Sequence, residues 1–274
     1  MADFKQGDVK IDGVKIHYYR CKSGKQAIVL LHGATDNGLC WMPLAGELAE
    51  KYDVIMMDAQ GHGLSDRLDA KFSFESHTKQ TAGFIKEMGL TKPILMGHSM
   101  GGGTVTNVAV EYPSLIKDII LEDPPWAGAE PPKEKMTEKE RKEASNFGGW
   151  LIELSKKPLK DIIAQGKKMD PGWTDEERLY WAKAKQQFDP KLFKTMVVNP
   201  HSYEKFVPRI KCPTLLIIAE QGIVSTKTAE NAAKIWKSKK PFKWVQIKGA
   251  THNIRRDKYT AFKKAVYNFL EEVE

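Results

Sequence analysis

The stretch ILMGHSMGGG, residues 94–103, sets one serine between glycines directly after an apolar run. Gly97-His98-Ser99-Met100-Gly101 has the form G-x-S-x-G, the pattern of a nucleophile elbow. A sharp strand-to-helix turn there needs flanking residues without bulk, which glycine supplies. The turn lifts the hydroxyl off the sheet and leaves backbone N–H groups free at the helix start. Three fixed positions of common residues match by chance in about one chain in ten of this length, so the neighbourhood must carry the argument.

Upstream, VKIDGVKIHYYR (9–20) has strand-like runs on either side of Asp12-Gly13, a hairpin signal. AIVLLHG (27–33) and DVIMMD (53–58) read as buried strands, with a helix over 43–52 between them. A helix over 74–89, a strand over 93–97, a helix over 102–112 and a strand over 116–123 continue the alternation. After Pro208 it resumes with a strand at 213–220, a helix at 227–237, a strand at 242–247 and a terminal helix from about Asp257. Alternating strands and helices predict an α/β fold: a mostly parallel central sheet with helices on both faces. Residues 124–208, which carry Trp126, Trp150, Trp173 and Trp181 but no convincing strand, are expected to form an inserted helical cap. The core is then 1–123 together with 209–274.

The chain has 274 residues, 41% of them hydrophobic, enough for one large core with a smaller covering unit. Its start, MADFKQGDVK, lacks a basic-then-apolar secretory signal, and no apolar run approaches a membrane span. Cys21, Cys40 and Cys212 are too few and too scattered for a disulfide framework or a metal site, so reduced thiols in a cytoplasmic setting are expected. The net charge is +8, with basic runs at 234–248 and 254–258. Both read as solvated faces, with a funnel for anionic substrates as the functional alternative. No nucleic-acid motif accompanies them, so no nucleic-acid partner is expected.

A serine hydroxyl is a poor nucleophile near neutral pH and needs a positioned base. Seven histidines are available: His17, His32, His62, His77, His98, His201 and His252. His252, in the loop after the last predicted strand, lies at a strand's carboxyl end, where functional groups of such sheets gather. His32 and His62 sit in glycine-flanked turns and read as structural, and His98 is fixed inside the elbow. Attack on a carbonyl also needs donors for the developing oxyanion. The Ala34 N–H, after the His32-Gly33 turn, and the Met100 N–H are the candidates.

LLHGATDN, MMDAQGHGLSD, MGHSMGGG and GATHNIRR, in this order, resemble the α/β-hydrolase superfamily, particularly its small carboxylesterase-like members. The resemblance spans the sheet portions and is weak across the cap. It implies a serine hydrolase acting through an acyl-enzyme, with no metal or organic cofactor. Relatives that open epoxides or carbon–halogen bonds generally carry aspartate at the elbow, against which Ser99 speaks. The family order is Ser, then Asp or Glu, then His, and many members place an aspartate after the strand corresponding to TLLIIAE. This chain reads LLIIAEQGIVST there, so two carboxylates compete: Asp123, preferred, and Glu220. Glu122 is expected to point elsewhere by strand alternation. Asp58 reads as a brace for the loop after its strand, Trp126 as a pocket-lining, substrate-binding residue where the cap begins, and Trp41 equally as core.

The expected substrate is a small-molecule ester or thioester, an anionic one included. An acyltransferase or thioesterase acting on an anionic acyl carrier such as an acyl-CoA is the first alternative. A ligand-binding receptor on the same fold is the second, since fold does not fix function. The sequence leaves oligomeric state open.

Overall fold

The computed structural model describes residues 2–126, 138–195 and 203–273. Lys5–Ile11 (β1) and Val14–Cys21 (β2) form the expected hairpin, and both turn residues take positive φ, 50° at Asp12 and 86° at Gly13. A two-residue hairpin turn matched to strand twist requires that backbone, and Asp-Gly supplies it at low cost. Ala27–Leu31 (β3), Met42–Leu48 (α1), Asp53–Met57 (β4), Phe74–Glu87 (α2), Ile94–His98 (β5), Met100–Glu111 (α3) and Ile119–Glu122 (β6) follow. Next come Glu138–Ser155 (α4), Leu159–Met169 (α5), Asp175–Gln187 (α6), Leu192–Thr195 (α7) and Tyr203–Phe206 (α8). Thr214–Gln221 (β7), Thr226–Ile235 (α9), Phe242–Thr251 (β8), Ile254–Asp257 (α10) and Tyr259–Val273 (α11) complete the chain.

The eight strands form one sheet in the order β1-β2-β4-β3-β5-β6-β7-β8. β1 and β2 pair antiparallel to each other, β2 pairs antiparallel to β4, and the other neighbours are parallel. Every residue of β3, β4, β5 and β6 is buried, which explains their unbroken apolar runs: both faces are covered. Alternation sends Val29, Leu31, Leu95 and Leu121 to one face, against Phe84 of α2, Val105 of α3, Phe206 of α8 and Ala229 of α9. Ile28, Leu30, Met96 and Ile120 face the other way, against Leu44 of α1 and Phe262 and Phe269 of α11. Among the described residues no helix is long and apolar enough to cross a membrane.

Between β6 and β7 the described residues form helices and no strand. Leu154, Ile162, Trp173 and Trp181 make a small apolar cluster within this insertion. Trp173 and Trp181 meet edge to face in this cluster, and Trp173 also reaches the main body, with the Arg256 guanidinium 5.1 Å over its ring. The segments flanking the insertion belong to the main body: Trp126, Tyr203 and Phe206 sit in the sheet's own core. His201 lies outside the described residues. Cys40 and Cys212 are buried free thiols, and Cys21 is a partly buried one.

Three buried histidines brace the loops that follow β3 and β4. His32 Nδ1 donates to Gly33 O and its Nε2 accepts from Ala59 N; His62 Nε2 accepts from Thr35 N. On α2, His77 Nε2 donates to Gln60 O, and burial pushes its pKa down to about 4. The unfolded chain, whose histidines titrate near 6.5, therefore binds more protons than the folded chain between those values, and stability falls with pH across that window. His77 alone accounts for a loss on the order of 3 kcal/mol between pH 6.5 and 4. Urea titrations at a series of pH values should show that slope flattened by about one proton in His77→Gln, whose amide can still donate to Gln60 O.

Candidate active site

The elbow is built at the carboxyl end of β5, near the middle of the sheet. Ser99 has φ 49° and ψ −116°, outside the ordinary regions for a residue with a Cβ, and it is the N-cap of α3. Glycine is obligatory on both sides. A Cβ on Gly97 would collide with the Gly101 carbonyl, and one on Gly101 would collide with the Leu31 carbonyl. The Gly101 N–H donates to His32 O and the Ser99 N–H to Glu122 O, tying the turn to β3 and β6. Met100 is the first residue of α3, where an N–H has no partner within the helix. Gly33 lies alongside, since a Cβ there would stand 3.3 Å from Ser99 Cβ and 2.7 Å from His98 Nδ1.

His252 follows β8 and comes to the elbow through His98. The His98 Nε2 donates to His252 O at 2.9 Å, and the two rings lie 4.7 Å apart. Because that acceptor is a carbonyl, His98 carries its proton on Nε2, and burial holds the ring well below its usual pKa. On its other side His252 Nδ1 is 2.6 Å from Asp123 Oδ2. A carboxylate has only acceptors, so Nδ1 holds the proton and Nε2 keeps its lone pair. The His252 side chain is one-third exposed (33%), whereas that of Asp123 is wholly buried.

Asp123 is itself strained, with φ 42° just after β6. Its two oxygens also accept from the backbone N–H groups of Ile223 (2.9 Å) and Val224 (3.0 Å) in the loop after β7. In that loop Gly222 must be glycine, because a Cβ would fall on the Asp123 carboxylate. Glu220 is exposed and accepts from the Gly249 N–H at 2.9 Å, away from the imidazole. Glu122 points to the opposite side, as alternation predicts, and pairs with Arg255 Nη1 at 2.9 Å. Trp126 is buried, its indole N–H donating to Thr106 Oγ1 and its ring stacked on Tyr203, contacts with α3 and α8. Asp58 accepts from Gly38 N and Leu64 N, bracing two loops, and Trp41 is core, with the Arg255 guanidinium 4.3 Å over its ring.

One part of the site was missed in the sequence. The basic run at 254–258 is not a solvated face: Arg255 and Arg256 are buried, 3% and 7% exposed. Both converge on Asp36, in the loop that carries Ala34. Arg256 donates to both Asp36 oxygens at 3.1 and 3.2 Å, Arg255 Nη2 lies 3.5 Å away, and Lys185 Nζ of α6 is 3.7 Å off. Burial alone would raise the Asp36 carboxyl, but Arg256, Lys185 and Arg255 hold it well below the usual carboxylate range. A buried acidic residue amid three buried cations is a hub, and sequence gives no signal for it beyond the charges themselves. The run at 234–248, by contrast, keeps Lys234, Lys237, Lys239, Lys240, Lys243 and Lys248 exposed.

Removing one member of a buried ion network leaves the rest uncompensated, at a cost of about 3–5 kcal/mol. Asp36→Asn should lose stability of that order in urea denaturation at neutral pH, far more than substitution of an exposed carboxylate such as Glu271.

Comparison with known proteins places this chain in a family. A curated relative from Pseudomonas putida, named N-formylmaleamate deformylase, is 24% identical over 273 residues, covering 97% of this chain and 96% of the relative. Shorter matches at 31% identity, to an uncharacterized protein of Mycobacterium tuberculosis, cover 38% of this chain and only 30% of that protein. Among solved structures, the N-formylmaleamic acid deformylase of Pseudomonas putida S16 superposes with a TM-score of 0.77 at 19% identity, over 96% of this chain and all of the other. A thermophilic esterase from Thermogutta terrifontis gives 0.72 at 19% identity, over 98% and 99%. At these identities the superpositions speak for the fold. The family model described as alpha/beta hydrolase fold matches residues 26–255, from the first buried strand to the short helix beyond His252, and the chain belongs to that family.

Proposed function

We propose that this protein is a serine hydrolase of small acyl compounds, carboxylic esters foremost, working through an acyl-enzyme. The observation that carries the reading is the 2.6 Å pairing of His252 Nδ1 with the buried Asp123 carboxylate beside the strained Ser99 turn. Ser99 Oγ attacks the carbonyl carbon while His252 Nε2 takes its proton. The negative charge that develops on the carbonyl oxygen is met by the N–H groups of Ala34 and Met100. As the tetrahedral species collapses, His252 returns the proton to the departing alcohol, leaving Ser99 acylated. Water then attacks the acyl group, giving its proton to His252, and the acid leaves as Ser99 regains its hydrogen. Asp123 stays ionised throughout, holding the Nδ1–H tautomer and stabilising the imidazolium.

A second reading is favoured by the near full-length match to a protein named as a deformylase of an N-formyl compound, and by the net charge of +8. In it the scissile bond is acyl–nitrogen or acyl–sulfur in an anionic substrate. The machinery is unchanged, because His252 can protonate a leaving nitrogen as readily as it protonates an alkoxide.

Ser99→Ala should lose covalent labelling by an organophosphonate and all hydrolysis of short p-nitrophenyl esters. Retention of full activity in that variant would end the mechanism. A panel of esters, thioesters and N-formyl amides, neutral and anionic, then separates the two readings by their kcat/KM. Asp123→Asn should lower kcat by about 10³–10⁴ by favouring the wrong imidazole tautomer, whereas Glu220→Gln stays within a few-fold of the parent. The reverse pattern would assign the acid to Glu220.

A further inference from the structure

The loop that presents Ala34 is held from outside the sheet domain. Thr35 adopts φ 62°, a left-handed conformation unfavourable for a β-branched residue by roughly 1–2 kcal/mol. Three hydrogen bonds from two side chains fix it there. Its N–H donates to His62 Nε2 at 3.1 Å; its carbonyl and hydroxyl oxygens both accept from Lys185 Nζ, at 2.9 and 3.0 Å. Lys185 comes from α6 of the insertion, and its side chain is buried, its ammonium 5.1 Å over the Trp181 ring. Burial pushes its pKa down to about 8 against the pull of Asp36. Two residues on, Gln187 Oε1 accepts from Asn37 Nδ2 at 2.7 Å, so the end of α6 grips three consecutive residues of the loop.

Burying an ammonium is costly, and an apolar side chain of the same length would fill the space more cheaply. What an apolar side chain cannot do is hold a carbonyl and a hydroxyl at once. We infer that Lys185 is a positioning residue: from the insertion, it locks Thr35 in the left-handed backbone that sets the direction of the neighbouring Ala34 N–H. The inference rests on the serine-hydrolase reading above. It makes seating of the insertion a condition for a formed oxyanion site, and not only a means of covering the substrate. Without the lysine, Thr35 can relax toward an ordinary conformation, turning the adjoining peptide groups with it.

The test uses the full chain with Lys185→Met, which keeps length and packing, and Lys185→Gln, whose amide suits the polar pocket, each assayed at a temperature where urea denaturation shows it folded. Each is compared with the parent for the rate and stoichiometry of labelling by a fluorophosphonate, and for kcat and KM on a p-nitrophenyl ester. Loss of one oxyanion donor typically lowers rates by ~10²–10³. A displaced donor should therefore slow labelling and kcat by about 10- to 100-fold, while every chain still takes one label and KM moves less than about threefold. A role confined to folding would instead reduce the labelled fraction at an unchanged rate. That result, rates within about threefold of the parent, or a change confined to KM would each overturn the inference. If the parent itself takes no label at Ser99, the serine-hydrolase reading fails; if the parent labels and the variants label as fast, only the role of Lys185 falls.

Discussion

The carboxylate of Asp36 is the point on which the arrangement around Ser99 depends. It stands in the loop after β3, yet its charge is balanced by two arginines beyond β8 and a lysine from the helical insertion. Each of these ions gives up its hydration, and their mutual attraction repays that cost only because the geometry is close. Arg255 does this through Glu122 as well, which buries a second carboxylate behind β6. The network is therefore weak evidence for stability in itself. Its consequence is geometric: three chain segments far apart in sequence can approach one another in only one way that leaves no charge alone.

The strained residues follow from this. Thr35, Ser99 and Asp123 each take a positive φ with a full side chain, and each lies where a strand of the sheet's centre gives way to a loop or helix. Backbone of this kind persists only when its surroundings over-determine it. Here the surroundings are identifiable: Lys185 and His62 around Thr35, the close glycines around Ser99, and the N–H groups of Ile223 and Val224 on Asp123.

Much of this was legible in the sequence, and the remainder was hidden for a physical reason. The central strands could be read because a strand covered on both faces is apolar at every position, and the hairpin because Asp12-Gly13 suits a turn with two positive φ values. The elbow and His252 stood out because glycine spacing and position after a strand are local properties. Which carboxylate meets His252 was not a local property: it turned on whether the loop after β7 reaches back across the sheet with its N–H groups. Arg255 and Arg256 looked like surface charge because a sequence shows a charge but not its counter-ion.

Gly222 has a bearing on how such a site can change over generations. The space its missing side chain leaves is filled by the carboxylate of Asp123, so the loop after β7 and the end of β6 form a complementary pair. An acid installed in that loop would bring two anions to one imidazole, and removing Asp123 first would strand two amide hydrogens and the Nδ1–H of His252. Neither single replacement leads downhill to the alternative layout, in which the loop itself bears the acid. The two layouts are separated by a valley that only a concerted exchange crosses, and a lineage that has settled on one side of it is held there by sterics and charge.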